Sequence, residues 1–331
     1  MTADRPLLGV VLMLAFCIVI PVSDGIAKLA TDSLPVLQIV AMRFVLGSLL
    51  ILPVIWATGR SLRLPPGTLG PAVARTACHV AAFVALLAAL VHLPLAETMA
   101  IVFVQPFLML LLGWALMNET VGPRRLAACV GGFAGTLMVI QPSFAQAGWV
   151  VVLPLFTAVG FTGFMLFTRR IAKACDPLSL QAVSGLLALP MLLPFLVLGP
   201  LVGLPDLAPV WPDGRGWALM WAIAGFATVA HLLMTLALRL APAATLAPIQ
   251  YMELPVTVVV GWWMFRDFPD GLALSGIAVI CAAGLYMVHR ERQISRAGPG
   301  PSAPRVPHRA RAPAEAQASA APKTTAAPRG R

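Results

Sequence analysis

The sequence predicts an all-α integral membrane protein: ten transmembrane helices forming two inverted five-helix repeats, with both termini cytoplasmic. Three observations predict it. Hydrophobic residues make up 59% of the 331 residues and charged ones only 11%, whereas an average soluble domain is about a quarter charged. Apolar stretches of about 20 residues, the length of a membrane-spanning helix, recur along nearly the whole chain. The fourth and ninth stretches also match at a constant offset of 148: Gln105 with Glu253, Gly113 and Trp114 with Gly261 and Trp262, and Glu119 with Asp267.

Apolar runs and their Pro, Gly and charge boundaries place spans near residues 7–28, 36–57, 70–91, 95–117 and 123–141 in the first half. The second half has spans near 148–168, 178–199, 216–238, 243–265 and 271–289. The run from Leu7 is too long for the core of a signal peptide and lacks a clear small-residue cleavage site, so it reads as a retained helix. The organisation expected is a short cytoplasmic N-terminus (1–6), a first repeat (7–141), a second repeat (148–289) and a tail (290–331). No segment remains for a large soluble domain.

Charge sets the orientation. A cytoplasmic N-terminus puts Arg60, Arg63, Arg75, Arg124, Arg125, Arg169, Arg170, Lys173 and Arg239 on or near the inner side, leaving Lys28, Arg215 and Arg266 outside. The formal net charge of +10 is concentrated in the tail, where Arg290, Arg292, Arg296, Arg305, Arg309, Arg311, Lys323, Arg329 and Arg331 lie amid Pro, Ala and Gly. Such a composition cannot bury a core and predicts a disordered cytoplasmic segment near anionic lipid rather than a nucleic-acid-binding domain. Cys17, Cys78, Cys129, Cys175 and Cys281 are scattered among apolar neighbours and suggest neither a disulfide framework nor a metal site.

Five spans per half is an odd number, so the second half enters the bilayer from the opposite side. Inverted repeats are the architecture from which many secondary transporters build alternating access, with the substrate near the midplane between the halves. The stretch "HLPLAETMAIVFVQPFLMLLLGWALMNETVGPRRLAACVGGFAGTLMVI" (92–140) resembles the EamA repeat of the drug/metabolite transporter superfamily. A second stretch, "RLAPAATLAPIQYMELPVTVVVGWWMFRDFPDGLALSGIAVICAAGLYMVHRER" (239–292), resembles its second copy. The resemblance runs from about residue 7 to 292 and implies a ten-helix carrier of small metabolites in a bacterial inner membrane. "SDGIAKL", "FRDFPD" and "GLYMVHRER" are most similar to the branch containing bacterial riboflavin and S-adenosylmethionine importers. The family's usual Glu-Pro is Glu253-Leu254 here, with proline at Pro255, which shifts the expected helix break by one residue.

Ionisable groups within spans are few, and each costs about 2.5–3.5 kcal/mol at a helix centre unless it faces a cavity or a partner. Glu253 is the leading candidate for substrate recognition or proton coupling, against a structural hydrogen bond. On a continuous helix Gln250 lies about 60° from Glu253, and Tyr251 about 100° from Gln250, so all three border one lumen. Gln105 is the repeat equivalent of Glu253 and faces it across the pseudo-two-fold axis. Asp24 and Lys28, four apart, form a same-face pair, either a salt bridge or a gate. Arg43 lies too deep for simple snorkelling and meets either Asp24 or an anionic or carbonyl-rich substrate. His79 and His231 serve as helix–helix hydrogen bonders or as cavity groups. Phe103 is a core aromatic or a stacking surface, and Trp114, Trp262 and Trp263 are interfacial anchors. The small residues Gly131 and Gly135, with Ala278 and Ala282, predict close helix packing within a monomer or a homodimer.

The function expected is secondary transport of a small polar metabolite across the bacterial inner membrane, with riboflavin uptake favoured. S-adenosylmethionine or amino-acid transport is the alternative, with protons as a coupling ion. The chain has no Walker-type phosphate loop, and no cofactor is implied. An intramembrane enzyme is the remote alternative, since no convergent cluster of acids, histidines and nucleophile is apparent.

Overall fold

The computed structural model describes residues 5–93, 95–117, 121–140, 148–201, 207–266 and 271–297, and every regular element among them is helical. The first half contains α1 (Pro6–Ala30), α2 (Val36–Ala57), α3 (Leu69–His92), α4 (Leu95–Val102), α5 (Gln105–Met117) and α6 (Pro123–Ile140). A 3₁₀ turn at Gly148–Val151 opens the second half. It leads to α7 (Val152–Ala172), α8 (Pro177–Leu201), α9 (Gly214–Leu240), α10 (Ala243–Gln250), α11 (Glu253–Phe265) and α12 (Gly271–Ala297). Among the described residues, seven helical runs are long and apolar enough to cross a membrane: α1, α2, α3, α7, α9, Pro177–Gly199 of α8, and α10 with α11 taken together. Glu119, Asp267, residues 141–147 and the tail from residue 298 lie outside the described residues.

Local chemistry starts several helices. Asp176 precedes Pro177 at the start of α8, and Ser179 N–H donates to Asp176 Oδ2 at 3.1 Å. Asp213 likewise accepts from Gly216 N–H at 2.6 Å at the start of α9. Both carboxylates satisfy backbone donors that a helix leaves unpaired in its first turn. At the other end of the chain, α12 continues to Ala297, so residues 290–297 are helical rather than part of a disordered tail. Arg290, Glu291, Arg292 and Gln293 favour helix, and no Gly or Pro intervenes.

The expected fourth and ninth spans are each broken in two, at equivalent places. α4 and α5 are separated by Phe103 and Val104, and α10 and α11 by Tyr251 and Met252. Every boundary of the first pair, moved by 148, falls on the boundary of the second. The breaks are tightened by short-range bonds: Val104 N–H donates to Ile101 O, Met252 N–H to Ile249 O, and Leu254 N–H to Tyr251 O. Pro106 explains the first break, because in a continuous helix it would lack a bond to Val102 and press its ring on that carbonyl. Pro255 does the same opposite Tyr251. In the observed helices each proline falls in a first turn, where no intrahelical acceptor is waiting. The displaced proline therefore does not shift the second break, contrary to the expectation from Glu253-Leu254.

The halves interlock through equivalent surfaces. α1 packs on α9, α3 on α7, α2 on α8 and α5 on α10, so each outer pairing is matched by its counterpart with the halves exchanged. Ser48 of α2 donates to Ala182 O of α8 at 3.4 Å. One turn earlier in α2, the Phe44 carbonyl lies where a side chain on Gly185 would stand. Position 48 meeting 182 while 44 meets 185 means that α2 and its repeat equivalent run antiparallel. Gly185 has to lack a side chain because Ser48 Oγ occupies that space.

The small-residue surface of α6 works through Gly135, as expected, but with Gly132 in place of Gly131. A Cβ on Gly132 would run into the Tyr251 ring, and one on Gly135 would come within 2.8 Å of Ile280 Cγ1 and 2.9 Å of the Gly276 carbonyl. Gly131 makes only an ordinary contact, at 3.8 Å from Ala283. Ala278 and Ala282 are exposed rather than packed on α6, because the face carrying Gly276, Ile280 and Ala283 is the one turned to α6. Trp114, Trp262 and Trp263 are also exposed on the flank of the bundle.

Gly132→Ala is expected to displace Tyr251 and to destabilise the fold by about 1–3 kcal/mol, as for other overpacked cores. The check is a melting curve of the purified protein in detergent, alongside Gly131→Ala, whose melting temperature should stay near wild type.

Candidate functional site

A narrow cavity of about 40 Å³, room for a few waters in this conformation, opens where α1, α2, α3, α4, α5, α7, α9 and α11 converge. Its polar lining is Asp24 of α1, Arg43 of α2, Gln105 of α5, His231 of α9 and Glu253 of α11. Phe16, Phe161 and Phe164 supply aromatic surface, and Met99, Met165 and Met234 supply flexible apolar surface. Glu253 and Gln105 owe their positions to the helix breaks, since each is the first residue of the helix that follows. Negative charge is favoured at a helix N-terminus, which helps explain why a carboxylate is tolerated at Glu253. Among the described residues, neither the Asp24 nor the Glu253 carboxylate receives a hydrogen bond.

Arg43 is 5% exposed, and its guanidinium carbon stands 3.8 Å from the centroid of the Phe83 ring. Nη1 has no hydrogen-bond partner among the described residues. Nη2 lies 3.5 Å from His231 Nδ1, but that nitrogen is also 2.8 Å from the Ala227 carbonyl. A carbonyl only accepts, so we assign the proton to His231 Nδ1. That leaves Nη2 facing another donor. The expected pairing of Arg43 with Asp24 is not closed, although both line the cavity.

The His231 ring stacks on His79 at 4.5 Å between centroids. His79 does not border the main cavity. It borders a second, much smaller one of about 10 Å³, which it shares with Arg43, Ser48, Gln181, Thr228 and His231. Arg43 and His231 thus stand at the partition between the two cavities. His79 Nε2 is buried without a hydrogen-bond partner, and the ring is held by stacking, with Phe164 at 4.2 Å.

Other candidates are placed elsewhere. Gln250 and Tyr251 do not line either cavity, because the break resets the helical azimuth between α10 and α11. Gln105 faces Gln250 rather than Glu253: its Nε2 donates to Gln250 Oε1 at 3.0 Å. The two amides also lie near Met165 and Met109 sulfurs, at 3.2 and 3.1 Å. Tyr251 is 1% exposed and stacks on Phe103, its own repeat equivalent, with centroids 6.1 Å apart. Phe103 is therefore a core aromatic. Lys28 reaches away from Asp24: Nζ donates to Leu93 O at 3.3 Å and sits 5.4 Å from the Phe265 centroid.

Arg75, counted above among the inner-side charges, is completely buried. Its Nε donates to Thr168 Oγ1 at 2.8 Å, and its terminal nitrogens donate to Ser184 Oγ and Gln181 Oε1. The guanidinium carbon also lies 4.5 Å from the Phe164 centroid. Arg75 thus ties α3 to α7 and α8 while bracing an aromatic wall of the cavity. The one sequence signal was the clustering of Thr168, Gln181 and Ser184 in otherwise apolar spans, visible only once the helices are paired.

Apolar helices in two interlocked halves around a polar, aromatic-lined cavity define a multi-pass membrane transporter. The chain belongs to the EamA-like transporter family, whose model matches residues 7–141 and 148–289. It is 28% identical over 264 residues to a riboflavin transporter of Brucella anthropi, covering 80% of this chain and 91% of that protein. It is 33% identical over 227 residues to a riboflavin transporter of Rhizobium johnstonii, covering 68% and 70%. An S-adenosylmethionine uptake transporter of Rickettsia felis is 21% identical over 60% of this chain and 65% of its own. A protein of known crystal structure aligns with a TM-score of 0.69 at 20% identity, over 86% of this chain and 98% of that one, which shows the fold alone.

The Gln105–Gln250 bond is expected to couple the halves by about 1 kcal/mol, as interhelical side-chain bonds in membranes do. A double-mutant cycle with Gln105→Leu and Gln250→Leu, read by unfolding in detergent, measures it. Additive single effects would show that the bond contributes nothing.

Proposed function

We propose that the chain is a secondary transporter that imports riboflavin across a bacterial inner membrane by alternating access. In this reading α4 with α5 and α10 with α11 each make one crossing, giving ten in all and placing both termini on the same side. The inner-side arginines make that side the cytoplasm. The antiparallel packing of α2 on α8 supports repeats that are inverted across the bilayer, and the cavity between the halves lies where such carriers hold their substrate.

The observation that carries the substrate class is the cavity lining: three phenylalanines beside an arginine, two carboxylates and an amide. A flavin joins a flat aromatic ring to a carbonyl-rich edge and a polyhydroxylated chain, so all of that lining finds a counterpart. Two relatives named riboflavin transporters support the same choice. S-adenosylmethionine is the second reading, favoured by the presence of both a cation and carboxylates on one cavity, which suits a zwitterion.

Counterflow into proteoliposomes tests both. Vesicles preloaded with unlabelled riboflavin are expected to take up labelled riboflavin faster than empty ones, and S-adenosylmethionine or amino acids in excess should not compete. Exchange of S-adenosylmethionine without any flavin exchange would reverse the order of the readings.

Glu253 is the group best placed to couple transport to protons, sharing its cavity with Asp24, Arg43 and His231. Glu253→Gln is expected to keep measurable exchange while losing accumulation driven by an imposed pH gradient. Unaltered gradient-driven uptake in that variant would remove Glu253 from the coupling role.

A further inference from the structure

We propose that Arg43 reads the dioxopyrimidine edge of the flavin and Asp24 the ribityl hydroxyls, so that the cavity accepts its substrate in one orientation. The inference deepens the riboflavin reading and rests on it.

The guanidinium defines what can bind to it. Phe83 covers one of its faces at 3.8 Å, so a ligand meets it edge-on. Nη1 is unpartnered, and the neighbour of Nη2, His231 Nδ1, already donates to the Ala227 carbonyl at 2.8 Å. Arg43 therefore presents in-plane donors without acceptors, in a group that is 5% exposed. Buried donors left unmet are costly, and a guanidinium edge is matched by a planar acceptor edge. The flavin ring offers its carbonyl oxygens and ring nitrogens along one side.

Asp24 has the complementary deficit. It is also 5% exposed, lines the same cavity and accepts no hydrogen bond among the described residues. A carboxylate accepts only, and hydroxyls are donors of the kind it lacks. Because Arg43 lies on α2 and Asp24 on α1, the donor and acceptor groups come from different walls. Phe161 and Phe164 of α7 provide apolar surface for the ring. A flavin turned the other way would set its hydroxyl chain against Arg43 and offer Asp24 only the N3–H, flanked by two carbonyl acceptors that repel a carboxylate.

Lumiflavin, which carries the flavin ring with a methyl group in place of the ribityl chain, separates the two contacts. The experiment measures binding of riboflavin and lumiflavin to the purified full-length protein through quenching of flavin fluorescence. Arg43→Gln is expected to weaken both ligands by about tenfold or more. Arg43→Lys, which keeps the charge but loses the planar fork, should also weaken both and carries the test if Arg43→Gln does not fold. Asp24→Asn is expected to weaken riboflavin by a similar factor and leave lumiflavin unchanged. The proposal is overturned if Arg43 variants weaken riboflavin alone, if Asp24→Asn weakens both ligands equally, or if wild type binds riboflavin but not lumiflavin. Failure of wild type to bind or exchange any flavin would instead sink the riboflavin reading itself.

Discussion

Hydrocarbon offers no hydrogen-bond partner, so a backbone interrupted within a membrane bundle must be sealed by the protein itself. The two helix breaks are where this constraint is sharpest, and much of the interior is arranged around them. Each break frees backbone groups, and short i to i−3 bonds recover part of the loss. Tyr251 and Phe103 stack over the paired breaks, and Gly132 leaves room for the Tyr251 ring. The amides of Gln105 and Gln250 bridge the two halves beside them. The same interruptions deliver Gln105 and Glu253 to the cavity, so the site and the weak points of the helices have one origin.

The repeat is legible in the sequence, because an offset of 148 carries local chemistry from one copy to the other, whereas the positions of the breaks within its fourth and ninth spans are not. The cavity was also legible in part. Asp24, Arg43, Gln105, His231 and Glu253 stand out as polar residues in apolar runs, and the cost of burying them leaves them few places to face. Tyr251 and Gln250 depart from the expectation for a definite reason: a continuous helix would aim them with Glu253, and the break between residues 250 and 253 cancels that geometry. The partnership of His79 with His231 is hidden because repeat equivalence does not relate them; it arises where side chains of α3 and α9 reach across to stack beside Arg43.

Arg75 and Phe164 show a different limit. An arginine near the end of a span looks like an interfacial charge, and only its partners on α7 and α8 reveal that it is a buried brace. Phe164 looks like any core phenylalanine. Its meaning comes from standing between Arg75 and His79 with an edge on the cavity. Hydrophobic pattern alone cannot separate an aromatic that fills a core from one that lines a site, since both exclude water.

The two halves are alike in backbone and unlike in charge, and that difference bears on function. The first supplies Asp24, Arg43 and the neutral Gln105; the second supplies His231 and Glu253, the latter at the position equivalent to Gln105. A cavity with strict two-fold chemistry would accept an elongated ligand equally well in either direction. Replacing one of two equivalent amides by a carboxylate, and placing a single arginine on α2 alone, removes that degeneracy. In the proposed alternating cycle the shared fold would let the halves exchange roles, while the unequal side chains would hold the ligand in the one orientation proposed above. In that proposal symmetry in the helices and asymmetry in the lining serve different ends.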